Sequence, residues 1–183
     1  MGFATSLTTA QIASLSTDLI STLATEDIAA FTSDQLAAFT TDQIPAFTTA
    51  QLAAGITTTQ AQYLTTLQMS ALRSSQIGAL QSASFATLST ADIAALSTGT
   101  IAGISTSQIK ALTTGQTVAL TTSQAAQLST AQVGALTTNS IEALETADLV
   151  AISTTALSLL STAQVAALTT AQVNVLPTAA LAG

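Results

Sequence analysis

A large aliphatic or aromatic residue recurs at every eighth position of this chain. It stands at Leu7, Leu15, Leu23, Phe31, Phe39 and Phe47, slips by one residue, and continues from Ile56 through Ile104 and Ile152 to Leu176. With that residue numbered position 1, a second apolar residue falls at position 6, as at Ile12, Ile93 and Val165, and Ser, Thr, Ala and Gln fill most of the rest. The phrase is clearest over residues 160–176, LSTAQVAALTTAQVNVL, and 22 such units make up residues 7–183. A short phrase repeated end to end is one structural unit that buries its apolar side only against its neighbours.

The polar positions suggest what each unit is. Position 3 is Ser or Thr in every unit, whereas position 2 also admits Ala24, Arg73, Gln81, Glu145 and Pro177. A site restricted to a hydroxyl beside a permissive one reads as a helix N-cap, whose side-chain oxygen satisfies an unpaired N–H of the first turn. The expected caps are therefore Thr9, Thr17, Thr25, Thr90, Thr130, Thr162 and Thr170. Asp18, Glu26, Asp34 and Asp42 fall at position 4 and Asp27, Asp92 and Asp148 at position 5, where a helix start favours carboxylates. Positions 4 to 8, commonly Ala-Gln-Ile-Ala-Ala, are mostly good helix formers. Each unit thus predicts a helix of one to two turns, broken at the hydroxyl pair.

A single long helix does not fit, because eight residues at about 100° each rotate the apolar side by roughly 80° per unit. Isolated helices this short are unstable without tertiary packing. The expected fold is all-α, a solenoid of very short helices with the large apolar residues turned inward, represented by Leu7, Ile12, Phe31, Phe39, Phe47, Ile93, Leu96, Val165 and Leu168. A β-solenoid is the alternative, disfavoured by the weak strand propensity of Ala and Gln. No 16-, 24- or 32-residue super-period stands out, so the number of units per coil stays open.

Residues 1–6 read as a partial repeat or docking arm and residues 7–183 as one solenoid. The register slip near residue 55 makes Gly55 the natural site of a bulge or altered turn. The repeats over residues 56–88 are degenerate, with Ala61 and Met69 at position 6, Tyr63 at position 8 and Phe85 at position 6, and local distortion of the coil is expected there. Tyr63 and Arg73 are the candidates for a lateral contact. Met1 and an ending on a whole unit read as a complete chain.

Composition removes most chemistry. There is no His or Cys, and therefore no common general base, thiol nucleophile or transition-metal ligand, so no enzyme, cofactor or metal centre is expected. Arg73 and Lys110 are the only basic residues against a net charge of −7, which argues against nucleic acid. Polar residues interrupt every apolar run, so no membrane span is expected. No signal peptide stands out at MGFATSLTTAQ, leaving a cytoplasmic filament or an extracellular fibre exported by another route.

The phrases LSTAQVAALTTAQVNVL and FTSDQLAAFTTDQI resemble the octapeptide arrays, L-[ST]-[ST]-x-[QD]-[IV]-x-A, of bacterial repeat proteins of surface and filament type. The resemblance implies a repeat architecture and carries no functional residues with it. Open repeat ends expose core unless polar terminal units cover them, and head-to-tail contacts that do not close make fibres. The expected function is structural self-assembly, with copies of the chain as partners. The alternative is a module presenting Thr rows to ice, a polysaccharide or another periodic surface.

Overall fold

The computed structural model describes residues 6–180. Among them run twenty α-helices of four to seven residues, one per unit, from Thr9–Ala13 to Thr170–Val175. Two further units carry 3₁₀ helices, Ile44–Ala46 and Thr178–Ala180. Pro45 explains the first of these, because it has no N–H to close an α-helical bond at that turn. No strand occurs among the described residues, so the fold is an all-α solenoid. The docking arm expected at the start lies, except for Ser6, outside the described residues.

The helices begin one residue earlier than expected. Thr9, Thr17, Thr25, Thr90, Thr130, Thr162 and Thr170 are the first helical residues, and the caps are Thr8, Ser16, Ala24, Ser89, Ser129, Ser161 and Thr169. The reason is the reach of the cap. The hydroxyl at position 2 accepts from the N–H of position 5, three residues on, as Thr48 does from Gln51 at 3.2 Å. Carboxylates at positions 4 and 5 suit either register, because both lie in the first turn. Where position 2 is Ala24, Arg73, Gln81 or Glu145 the helix forms without a side-chain cap bond. The strict hydroxyl at position 3 has no hydrogen-bonding explanation: only Thr25 and Thr122 use it for a side-chain bond among those resolved.

Three helices make one turn of the coil. Thr25–Ala29 packs on Thr49–Gly55, Thr66–Ala71 on Thr90–Ala95, Thr98–Ile101 on Thr122–Ala125, and Thr146–Ala151 on Thr170–Val175, always three units apart. Burial shows the same number. Position 5 is exposed at Gln11 and Leu19, half-buried at Asp27, and buried from Gln35 onward. Position 6 is buried from Ile12 to Leu157 and exposed at Val165 and Val173. Position 5 therefore faces the coil before and position 6 the coil after.

Inside the three-sided coil, position 1 forms the corners. Phe31, Phe39 and Phe47 occupy the three corners of one turn and meet edge to face, with centroids 5.4 and 5.0 Å apart. Ile12, Ile93, Leu96 and the three Phe are buried, while Leu7 and Leu168 at the outer turns are half-buried. Val165, expected to point inward, is 47% exposed, because no described residue supplies the coil that would cover it.

The extra residue near 55 does not make a bulge. It lengthens one helix, Thr49–Gly55, to seven residues. The following units keep the common burial pattern instead of distorting: Ala61, Met69 and Phe85 are wholly buried, although Thr58–Ala61 is only four residues long. Close packing requires glycine at one crossing. A Cβ on Gly103 would overlap the backbone of Ser74, in the helix Ser74–Ala79 below, whereas one on Gly134 would meet nothing within 4 Å. Gly103→Ala should therefore cost about 1–3 kcal/mol of stability through overpacking, and Gly134→Ala should gain about 0.5–1 kcal/mol through helix propensity. Urea denaturation of the two variants checks the opposite signs.

Candidate assembly interface

The interface between coils is built by the Gln at position 5. It is the third helical residue, and its side chain works in two directions. Gln51 Oε1 accepts from the N–H of its own cap, Thr48, at 2.7 Å, completing a capping box. Its Nε2 donates to the Ile20 and Leu23 carbonyls of the preceding coil, both at 2.8 Å. Gln108 does the same to Ile77 and Leu80 at 2.7 Å, Gln132 to Ile101 and Ile104 at 2.8 Å, and Gln172 to Ile141 and Leu144 at 2.7 and 2.8 Å.

The acceptors are well chosen. They are the carbonyls of positions 6 and 1, at the helix end and the corner: the first also accepts the N–H of position 1, as Ile20 does from Leu23 at 3.2 Å, and the second is left without a backbone partner where the helix terminates. Each Gln thus satisfies the start of its own helix and the end of a helix one coil away. It does so while buried, at 0% exposure for Gln108 and 1% for Gln116, Gln124 and Gln172.

The two outer turns show half of this interface each. At the first turn Gln11 is exposed; its Oε1 caps Thr8 at 2.8 Å, and its Nε2 has no carbonyl to meet among the described residues. Leu19 beside it is 41% exposed. At the last turn Val165 and Val173 are 47% and 42% exposed, and no described side chain donates to the Leu168 and Leu176 carbonyls. Donor and apolar surface at one end match acceptors and apolar surface at the other.

The remaining sequence candidates lie elsewhere. Tyr63 is 45% exposed and Arg73 is exposed, with no hydrogen bond joining them, and Leu67 between them is 70% exposed. Beneath the Phe corners, a cavity of about 20 Å³ lies among Phe39, Phe47, Met69, Leu36 and their neighbours; it is a packing gap of the core, of the size of a water molecule. The exposed Asp18, Glu26, Asp34 and Asp42 lie at helix starts, and no group of three acidic residues gathers to hold a metal among the described residues. The apolar and hydroxyl periodicity does not mark Gln as functional. Its signal is that Gln is the commonest residue at position 5.

Two turns lack Gln at position 5. Position 5 is Ser84, Asp92 and Thr100 in one and Ser140, Asp148 and Ala156 in the other. The ALTTAQ repeat family matches residues 20–55, 85–122 and 141–178, more than half of the chain. The chain belongs to the ALTTAQ repeat family. Asp27, Asp92 and Asp148 each stand seven residues after the start of a match. No curated protein and no solved structure matches the chain.

Within this ALTTAQ solenoid, Gln108→Glu keeps shape and removes both donors. It leaves two buried carbonyls facing a carboxylate, and should cost about 2–5 kcal/mol, whereas the same change at exposed Gln127 should cost less than about 0.5 kcal/mol. Denaturant titration of the two variants measures the difference.

Proposed function

We propose that this ALTTAQ repeat protein is structural, and that its copies join head to tail by repeating between chains the seam that joins coils within one. The supporting observation is the complementarity of the outer turns. Among the described residues, Gln11 presents an amide donor with no acceptor and Leu19 an apolar side chain, against carbonyl corners with no side-chain donor and the exposed Val165 and Val173 at the other end. A contact between two different surfaces of one molecule propagates into a filament unless its rotation closes a ring.

Composition favours the same reading. Only 6% of residues are charged, so little electrostatic repulsion opposes association. Asp27, the third member of the first turn, stands at the position that Asp92 and Asp148 hold, buried, inside the coil. A periodic binding surface could not use the hydroxyls of position 2, which are engaged in caps, and would have to use those of position 3.

Electron microscopy and light scattering of the purified chain test the proposal. Fibres should form with increasing concentration, and Val165→Asp with Val173→Asp should abolish them, while Val150→Asp, at a 50% exposed site on the side of the coil, should leave them intact. A monodisperse monomer at high concentration contradicts the proposal.

A further inference from the structure

Among the described residues, hydrogen bonds between successive turns of the coil come from side chains alone, since every backbone–backbone bond is local to one unit or its corner. These links are unevenly spread. Over residues 104–127, Gln108 reaches Ile77 and Leu80, Gln116 reaches Leu88, and Gln124 reaches Ile93 and Leu96, at 2.7 or 2.8 Å. Residues 80–103 lack Gln at position 5 but are tied down by other donors. Gln81 donates to the Ala53 carbonyl at 2.9 Å, Thr87 to Thr58 at 3.1 Å and Thr100 to Leu72 at 2.9 Å.

Residues 136–159 have no such substitutes. Ser140 pairs with Thr137 of its own unit at 2.9 Å, Ala156 has no side-chain donor, and Asp148 accepts from the Thr122 hydroxyl at 2.7 Å. That last bond is the one side-chain hydrogen bond joining this turn to residues 112–135. The carbonyls of Leu112, Leu120 and Leu128, which stand where Gln finds its corner acceptor in other turns, accept no hydrogen bond, and Asp148 Oδ2 is buried without a partner.

Packing is thin at the same seam. The helices Thr114–Val118, Thr122–Ala125 and Thr130–Ala135 lie against Thr138–Ala143, Thr146–Ala151 and Thr154–Leu157, and their position 6 residues are Thr117, Ala125 and Val133. Under the second turn the same row is Ile12, Ile20 and Ile28, and under the third Leu36, Ile44 and Leu52. Smaller side chains bury less apolar area, and the Thr117 hydroxyl turns to the Thr113 carbonyl of its own unit at 3.0 Å. Two independent deficits, of amides and of methyl groups, fall on one plane.

We propose that this plane is a release point, at which residues 136–180 open away from the rest of the coil as one block. In a solenoid each repeat is held by its neighbours only, so opening concentrates at the weakest interface. Parting here breaks the Thr122–Asp148 bond and the longer bonds from Gln164 to Val133 and Gly134, at 3.1 and 3.4 Å. The block keeps its own stitching, from Gln172 to Ile141 and Leu144 at 2.7 and 2.8 Å, and so closes again as a unit. The device belongs to a single copy and does not rest on assembly.

Native-state hydrogen exchange of the full chain, read by mass spectrometry at a concentration where light scattering shows single copies, tests the release point. The helices over residues 138–175 should share one opening equilibrium and exchange at least about tenfold faster than the Gln-stitched residues 49–79, with a step between residues 135 and 138. Asp148→Gln, which restores an amide, should slow exchange over residues 138–175 about tenfold and leave residues 49–79 unchanged. Adding Ser140→Gln and Ala156→Gln should remove the step. Protection that declines gradually from residue 175 inward without a step, as simple end fraying gives, overturns the proposal. So does a step that the three Gln substitutions together leave unmoved.

Discussion

Short helices have a structural debt at both ends, and the fold depends on one side chain that settles it twice. A helix of six residues has nearly as many unpaired backbone groups as paired ones, since its first N–H and last C=O groups lack intrahelical partners. The position 5 Gln takes its cap N–H with one end of the amide and two carbonyls of the preceding coil with the other, as Gln51 and Gln132 do. Each of these bonds is worth only about 0.5–1.5 kcal/mol net, but a buried carbonyl left bare costs about 1–3 kcal/mol, so the amide matters most for what its absence would expose.

The three-sided geometry follows from the length of the unit. Eight residues hold a helix of about one and a half turns and an extended corner, and the corner residue, at position 1, turns inward at each change of direction. Three corners close a turn, and the ring of Phe31, Phe39 and Phe47 shows such a layer filled by the largest side chains available to it. The next turn then brings position 5 over the corner carbonyls beneath. Packing and hydrogen bonding therefore fix the same register, and a unit cannot slide without breaking both.

Much of this was legible in the residues. The eight-residue period, the hydroxyl near each helix start and the apolar pair at positions 1 and 6 predict a short-helix solenoid. Three things were not legible, for physical reasons. The cap shifted by one residue, from Thr9 to Thr8, because first-turn carboxylates favour neighbouring registers equally and because the constant hydroxyl at position 3 is not the bonded one. The number of helices per turn was hidden because every unit reads almost alike; the turns without Gln at position 5 and the three Phe corners break the sameness, and their grouping in threes has meaning once the coil is seen. The role of Gln was obscured by its character as an ordinary helix former, which suffices to explain it locally.

Function in such a molecule resides in its repetition, since the same seam serves within the coil and, by our proposal, between copies. The central claim is that buried Gln amides join successive coils. Hydrogen exchange of the side-chain amide protons, followed by NMR, tests it directly. The Nε2 protons of Gln51, Gln108 and Gln132 should be strongly protected, and those of the exposed Gln62 and Gln127 should exchange freely. Exchange of all five at the same free rate would contradict the account.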